Sequence, residues 1–117
     1  MLSIAADTQI FIASGATDMR KGFDGLCGIV TSVLEKDPIS GQLFLFVNRR
    51  RDKMKILYWD GDGLAIWYRR LEQGTFQMPN IQEGQVSVEI QSDELIMLIR
   101  GIDYSNVQRR KRFSVAG

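Results

Sequence analysis

Apolar residues recur at two spacings along the chain, and each spacing predicts one kind of secondary structure. Short runs that alternate with polar residues, or that are continuously apolar, predict β-strands. These runs are residues 9–13, 43–47, 54–59, 64–68, 75–78 and 86–90. Spacings of three and four residues predict a helix over residues 17–35, starting at Thr17 or Asp18, and a short helix over residues 93–100, with Ser92 as its N-cap.

The breaks between these segments favour an α+β fold. Residues 37–41 (Asp-Pro-Ile-Ser-Gly) and 60–63 (Asp-Gly-Asp-Gly) are turn sequences, so the three strands between residues 43 and 68 predict a meander. We expect a single domain over residues 1–104. It should hold an antiparallel sheet of four to six strands, one longer helix after the first strand and one short C-terminal helix. Residues 105–117 are polar and basic, which predicts a flexible tail.

Composition excludes several kinds of chemistry. The 117 residues include no histidine and a single cysteine, Cys27. Histidine-based catalytic triads, imidazole zinc sites and disulfides within the chain are therefore excluded. No apolar run approaches the roughly 20 residues that span a membrane, and the first residues lack the basic and apolar segments of a secretion signal. We expect a cytoplasmic protein without a metal or cofactor.

The net charge of +1 hides an uneven distribution of charge. Residues 49–55 carry five bases and one acid, residues 109–112 carry four bases, and the rest of the chain is acidic. Such clusters are typical of phosphate-binding surfaces, because each Lys or Arg displaces a counterion from a nucleic acid. Solvated segments that aid solubility are the alternative. The candidate nucleic-acid-binding residues are Arg49, Arg50, Arg51, Lys53 and Lys55 in a predicted hairpin, and Arg109, Arg110, Lys111 and Arg112 in the tail.

Aromatic residues flank the basic hairpin. They are Tyr58, Trp59, Trp67 and Tyr68. Exposed rings of this kind stack on unpaired bases, whereas rings on strands also pack in the core. The sequence leaves both roles open.

Carboxylates are the remaining candidates for catalysis. Asp18, Asp24, Asp60 and Asp62 could together hold Mg²⁺ for phosphoryl transfer, and a metal-dependent nuclease is the least favoured hypothesis. Asp60 and Asp62 lie in a Gly-rich turn, where Asp is favoured for backbone reasons. Because no pairing of a nucleophile with a base is visible, we expect a non-enzymatic protein.

Two blocks of the sequence resemble one protein family. Residues 17–26 (Thr-Asp-Met-Arg-Lys-Gly-Phe-Asp-Gly-Leu) are similar to the TDMRKxxDGL signature of the TnpB-type accessory proteins of IS66-like bacterial insertion sequences. The second block, over residues 40–76, includes Asn48-Arg49-Arg50-Arg51-Asp52 and Trp59-Asp60-Gly61, and Gly101-Ile102-Asp103 is also similar. The chain departs from the family at Met78 and Tyr104, where Trp is common.

The resemblance implies a role in transposition. Proteins of this family are encoded beside a larger transposase, to which strand transfer is attributed. Together with the two basic clusters, this predicts an accessory protein that binds DNA through the hairpin and the tail. The alternative is an adaptor that binds the larger transposase. Its support is the apolar and aromatic surplus on the sheet and the row of Gly22, Gly25 and Gly28 on the first helix. The oligomeric state stays open.

Overall fold

The computed structural model describes Leu2 and residues 4–100, which form five strands and two helices. Their order is β1 (Ile10–Ala13), α1 (Phe23–Ser32), β2 (Leu43–Val47), β3 (Lys53–Trp59), β4 (Leu64–Arg70), β5 (Ser87–Ile90) and α2 (Ser92–Ile99). Each of these elements falls on a predicted segment, and the α+β class is confirmed. The expected domain limit at residue 104 and the tail over residues 105–117 lie outside the described residues.

The sheet is mixed, so the prediction of an antiparallel sheet is wrong in one pairing. The strand order is β4-β3-β2-β1-β5. β1 and β2 run parallel, with Ile10 paired to Leu43, whereas the other three pairings are antiparallel. The cause is α1, because a helix between two neighbouring strands returns the chain to the end where the first strand began. The predicted meander of β2, β3 and β4 is confirmed.

Side chains that alternate along the strands give the sheet two buried faces. On the α2 face, Leu95 and Leu98 of α2 pack against residues of β1, β2, β3 and β5. On the α1 face, Leu26 and Val30 of α1 pack against Phe11, Phe44, Phe46 and Leu57. All five residues of β2 are buried between the two helices, which explains why its sequence is continuously apolar rather than alternating.

Helix α1 begins later than predicted, because backbone groups of the preceding loop bond elsewhere. The Thr17 N–H donates to the Val47 carbonyl at 2.9 Å. The Lys55 ammonium donates to the Met19 carbonyl at 2.7 Å and to the Lys21 carbonyl at 2.9 Å. These bonds hold the segment as a loop and remove it from the helix.

The other departures from the predicted boundaries also have local causes. Helix α1 ends before Glu35, which has a left-handed φ of 54°. Helix α2 has Gln91 as its N-cap in place of the predicted serine, and the Glu94 carboxylate accepts the Gln91 N–H at 2.9 Å. The run around Phe76 is not a strand. Its ring is buried on the α2 face while its N–H donates to the Arg51 carbonyl at 2.7 Å, at the end of the sheet.

Candidate nucleic-acid interface

Three basic segments meet where β1, β2 and β4 end and β3 begins. We call this end of the sheet the basic edge. β1 and β2 are parallel, so the loops that follow them, residues 14–22 and 48–52, leave the sheet on the same side. Lys53, at the start of β3, pairs with Arg70, at the end of β4, which places both residues there too. Strand pairing therefore concentrates bases that are scattered along the sequence.

The connection between β2 and β3, which we call the arginine turn, comprises Asn48, Arg49, Arg50, Arg51 and Asp52. The Arg51 N–H donates to the Asn48 carbonyl at 3.0 Å, and the Asn48 N–H donates to the carbonyl at the start of β3 at 3.2 Å. Arg51 has a left-handed φ of 59°, as the last residue of a three-residue hairpin loop commonly has. All three arginine side chains are exposed, so their guanidinium groups are available to a ligand.

Asn48 orders this turn, although it is not among the predicted site residues. Its Oδ1 accepts the N–H groups of Asp52 at 3.1 Å and Lys53 at 3.0 Å, and its Nδ2 donates to Asp52 Oδ1 at 2.7 Å. This last bond is the main cause of the lowered pKa of Asp52, to which the charge of Arg50 adds. Asparagine is favoured in turns because it bonds to nearby backbone, and that is the sequence signal for its role.

Two further backbone bonds fix the arginine turn to the segment that follows β4. The Phe76 N–H donates to the Arg51 carbonyl and the Leu71 N–H donates to the Asp52 carbonyl, both at 2.7 Å. A turn held in this way loses little conformational freedom when it binds a ligand. The arginines are therefore presented on a preorganised backbone.

The arginine turn separates two grooves that lie on opposite faces of the sheet. The groove on the α2 face, of about 430 Å³, is lined by Arg49, Arg51 and residues 78–81, among others. The groove on the α1 face, of about 630 Å³, is lined by residues 16–20, Asn48, Arg49, Arg50, Lys53 and Tyr68. We call the second one the Tyr68 groove. Arg49 belongs to both grooves, whereas Arg50 and Arg51 lie on opposite sides of the turn.

Lys55, unlike the other predicted DNA-binding residues of the hairpin, uses its ammonium for hydrogen bonds within the domain. Besides donating to the carbonyls of Met19 and Lys21, its ammonium lies 4.8 Å from the centroid of the Tyr68 ring. Two of its three N–H donors are thus used inside the domain, where they hold the loop after β1 against the sheet. A contact between Lys55 and DNA stays a prediction.

Two bases at the basic edge have carboxylate partners. Arg20 donates to Asp18 at 2.6 Å and Arg70 donates to Glu72 at 2.9 Å. The bonds from the Arg20 side chain, and then from its backbone N–H, lower the pKa of Asp18 to about 2. Both pairs are largely exposed, so solvent screens them and they contribute little to stability.

The four aromatic candidates divide between the core and the surface. Tyr58 is buried on the α2 face, where the half-buried Trp67 also packs, with the Arg69 guanidinium 5.1 Å from its ring centroid. Trp59 lies half-buried at the opposite end of β3. Tyr68 is half exposed and lines a groove of the basic edge. Among these four, Tyr68 is the ring placed for contact with a ligand.

The carboxylates of the nuclease hypothesis are dispersed. Asp18 lies at the basic edge and Asp24 in the first turn of α1, whereas Asp60 lies in the β3–β4 turn at the opposite edge. Backbone N–H groups of Asp62 and Gly63 donate to Asp60, lower its pKa and explain its place in that turn. Within Leu2 and residues 4–100, no three His, Cys, Asp or Glu side chains lie close enough to hold a metal ion.

The second basic cluster, Arg109, Arg110, Lys111 and Arg112, lies outside the described residues, so its role stays a prediction. Neither helix in the described part of the chain is long and apolar enough to cross a membrane.

Comparison with known proteins gives the family. The chain matches the family described as IS66 Orf2 like protein over residues 8–109. Two relatives are from Sinorhizobium fredii (strain NBRC 101917 / NGR234). Uncharacterized protein y4jC is 32% identical over 110 residues, which cover 94% of this chain and 92% of the relative. Uncharacterized protein y4hO is 34% identical over 117 residues, which cover 100% of both chains. No solved structure matches the chain. The match over most of the chain shows that this protein belongs to the IS66 Orf2-like family of insertion-sequence proteins.

Proposed function

We propose that this accessory protein of an insertion sequence binds DNA, and that the basic edge is its DNA-binding surface. The observation that carries the proposal is the convergence of the arginine turn, Lys53 and the loop over residues 14–22 at one edge. Exposed arginines on a fixed backbone contact phosphates without first having to order a loop. The affinity comes chiefly from counterion release, which does not depend on the base sequence.

In the described chain, bases outnumber acids at the basic edge, although Asp18, Asp52 and Glu72 lie there too. Asp60 and Asp62 lie in the β3–β4 turn, at the edge opposite the arginine turn. Helix α1 also begins near the basic edge, after the loop that carries Arg20, so the positive end of its dipole points there. This uneven distribution of charge orients the protein toward a polyanion although its net charge is only +1.

The salt dependence of DNA binding tests the proposal. The full chain is titrated against duplex DNA carrying an element end and against random duplex, over a series of salt concentrations. The triple variant Arg49→Gln/Arg50→Gln/Lys53→Gln should reduce the slope of log affinity against log salt by about 0.9 for each lost phosphate contact, or by ~2–3 in all. The control is Lys36→Gln, which removes a positive charge beyond the far end of α1, away from the proposed surface, and should leave the slope unchanged.

Two outcomes would overturn the proposal. One is that the isolated wild-type protein fails to bind DNA even at low salt. The other is that the triple variant keeps the wild-type slope, since Arg49, Arg50 and Lys53 would then contact no phosphates. Circular dichroism of each variant confirms that the domain is still folded.

The tail is the second part of the proposed surface. Changing Arg109, Arg110, Lys111 and Arg112 to Gln should lower the slope further if these residues reach the same DNA. An unchanged slope would restrict the surface to the basic edge.

An adaptor that binds the larger transposase is the second candidate function, and helix α1 is the observation that favours it. Phe23 is 48% exposed and Val33 is 50% exposed. A methyl group added at Gly22 or Gly28 would meet no atom within 4 Å in the described chain. No other backbone of the described chain therefore approaches these two glycines. The helix is held instead by the packing of Leu26 and its neighbours on the sheet. A nuclease-resistant pulldown of the transposase, lost in Phe23→Ser, would support this function.

A further inference from the structure

We propose that the Tyr68 groove binds an unpaired DNA strand, with one base stacked on the Tyr68 ring and the adjoining phosphates held by Arg50 and Lys53. This inference rests on the proposed function, because it names the form of DNA that the basic edge binds. It depends on the exposure of one aromatic ring, on the bases beside that ring and on the dimensions of the groove.

Tyr68 is half exposed, and the Lys55 ammonium lies over its ring. On the sheet, Tyr68 pairs with Lys55 of β3, whose ammonium lies 4.8 Å from the ring centroid. β4 is an edge strand of the described sheet, with β3 as its one neighbour. The ring is therefore held from the side of Lys55, and the Tyr68 residue remains 50% exposed. Nucleobases stack on an aromatic face that is fixed and accessible in this way.

The phosphate contacts lie along the same face of the sheet. Lys53 and Lys55 both point to the α1 face, since side chains two residues apart on a strand share a face. Lys53 is a diagonal neighbour of Tyr68, at the ~7–8 Å spacing that long side chains bridge. Arg49 and Arg50 line the same groove from the arginine turn. A base on the ring would thus have cationic groups beside it, toward the arginine turn, for a neighbouring phosphate.

The dimensions of the groove favour a single strand over a duplex. Its volume of about 630 Å³ lies in the ~300–1,000 Å³ range of sites that enclose small ligands. That is space for a few unpaired nucleotide groups, whereas a double helix would have to lie across this open groove. In a duplex the bases are stacked on one another, so Tyr68 would find a base face only where the strands are open or end.

The experiment measures binding of the full chain to a labelled strand of about 20 nucleotides, alone and annealed to its complement, at one salt concentration. We expect the wild type to bind the single strand more tightly than the duplex. Tyr68→Ala should weaken single-strand binding about 5- to 150-fold, as loss of one stacked base does, with a much smaller effect on the duplex. Tyr68→Phe keeps the ring and should bind as the wild type does.

Two further variants separate stacking from a structural role. Tyr68→Leu keeps apolar bulk on the edge strand and should lose single-strand binding as Tyr68→Ala does. Phe23→Ala removes another exposed ring, which lines neither groove, and should leave binding unchanged.

These measurements distinguish failure of the stacking proposal from failure of the proposed DNA binding. A wild type that prefers the duplex, or a Tyr68→Leu variant that binds both forms as the wild type does, overturns the stacking proposal while DNA binding by the basic edge stands. An equal loss on both forms in Tyr68→Leu also overturns it, because the ring would then serve the fold and not an unpaired base. A wild type that binds neither form refutes the proposed function itself.

Discussion

Asn48→Ala tests whether one side chain orders the arginine turn. The substitution removes three hydrogen bonds, two accepted by Oδ1 from the N–H groups of Asp52 and Lys53 and one donated by Nδ2 to the Asp52 carboxylate. A protein hydrogen bond contributes about 0.5–1.5 kcal/mol net. Asn48 is half-buried, so water replaces part of the loss. We expect a decrease of about 2 kcal/mol in the free energy of unfolding.

Urea denaturation measures this change directly. The midpoint should fall while the slope m stays constant, since the folded state remains as compact as before. In a thermal scan the same loss corresponds to a fall in Tm of roughly 6–12 °C for a domain of this size. The control is Asn80→Ala, an exposed asparagine in the groove on the α2 face, which should change stability by less than about 0.5 kcal/mol.

The reasoning is refuted if Asn48→Ala also costs less than about 0.5 kcal/mol. Such a result would mean that the strand pairing and the bonds from Leu71 and Phe76 fix the turn without the asparagine. A second readout comes from DNA. If Asn48 preorganises the arginines, its loss should weaken DNA binding without changing the salt slope, because no charge is removed.

Three other substitutions probe the neighbourhood of the turn. Lys55→Met should lower the free energy of unfolding by about 2 kcal/mol or more in urea, because two carbonyls lose a charged donor; a change below about 0.5 kcal/mol would contradict the role of this ammonium in holding the loop. Phe76→Ala should cost about 3–5 kcal/mol, since the ring is 1% exposed; a much smaller loss would show that the segment after β4 does not pack on the core. The pKa of Asp18 is lowered from 3.8 to about 2, so the small stabilising effect of this exposed pair is present above pH 4 and is lost as the pH falls through about 2. The difference in urea midpoint between wild type and Asp18→Asn should be small and should shrink as the pH falls below 4, and a difference as large at pH 2 as above pH 4 would exclude the Arg20 pair as its source.

Local chemistry was sufficient for much of the fold. The β3–β4 turn follows directly from its sequence: the Asp60 N–H donates to the Gly63 carbonyl at 3.0 Å, and Gly61 has a left-handed φ of 103°. The continuous apolar run over residues 43–47 predicts a strand, and the structure has β2 there with all of its residues buried. These features depend on residues that are neighbours in sequence, so the sequence pattern predicts them.

Prediction from local sequence was wrong where a residue distant in sequence bonds to the backbone. Apolar spacing and a possible N-cap at Thr17 or Asp18 predicted that the first helix begins there. Lys55, 36 residues after Met19, instead donates to the carbonyl of Met19 and keeps the segment as a loop. The helical spacing correctly predicted residues 23–32, where Leu26 and Val30 are buried. No local sequence signal showed that residues 17–22 would not be helical.

The sequence by itself determined the family, the α+β class, the meander and the presence of arginines at a turn between two strands. Only the tertiary structure decided that the turn meets the loop after β1, that Asn48 orders it and that Tyr68, rather than either tryptophan, lines the groove. The physical reason lies in the parallel pairing of β1 and β2, which places both loops at one edge. Periodicity shows which face of a strand is buried, but the neighbour of each strand depends on how the helices close the two sides of the sheet.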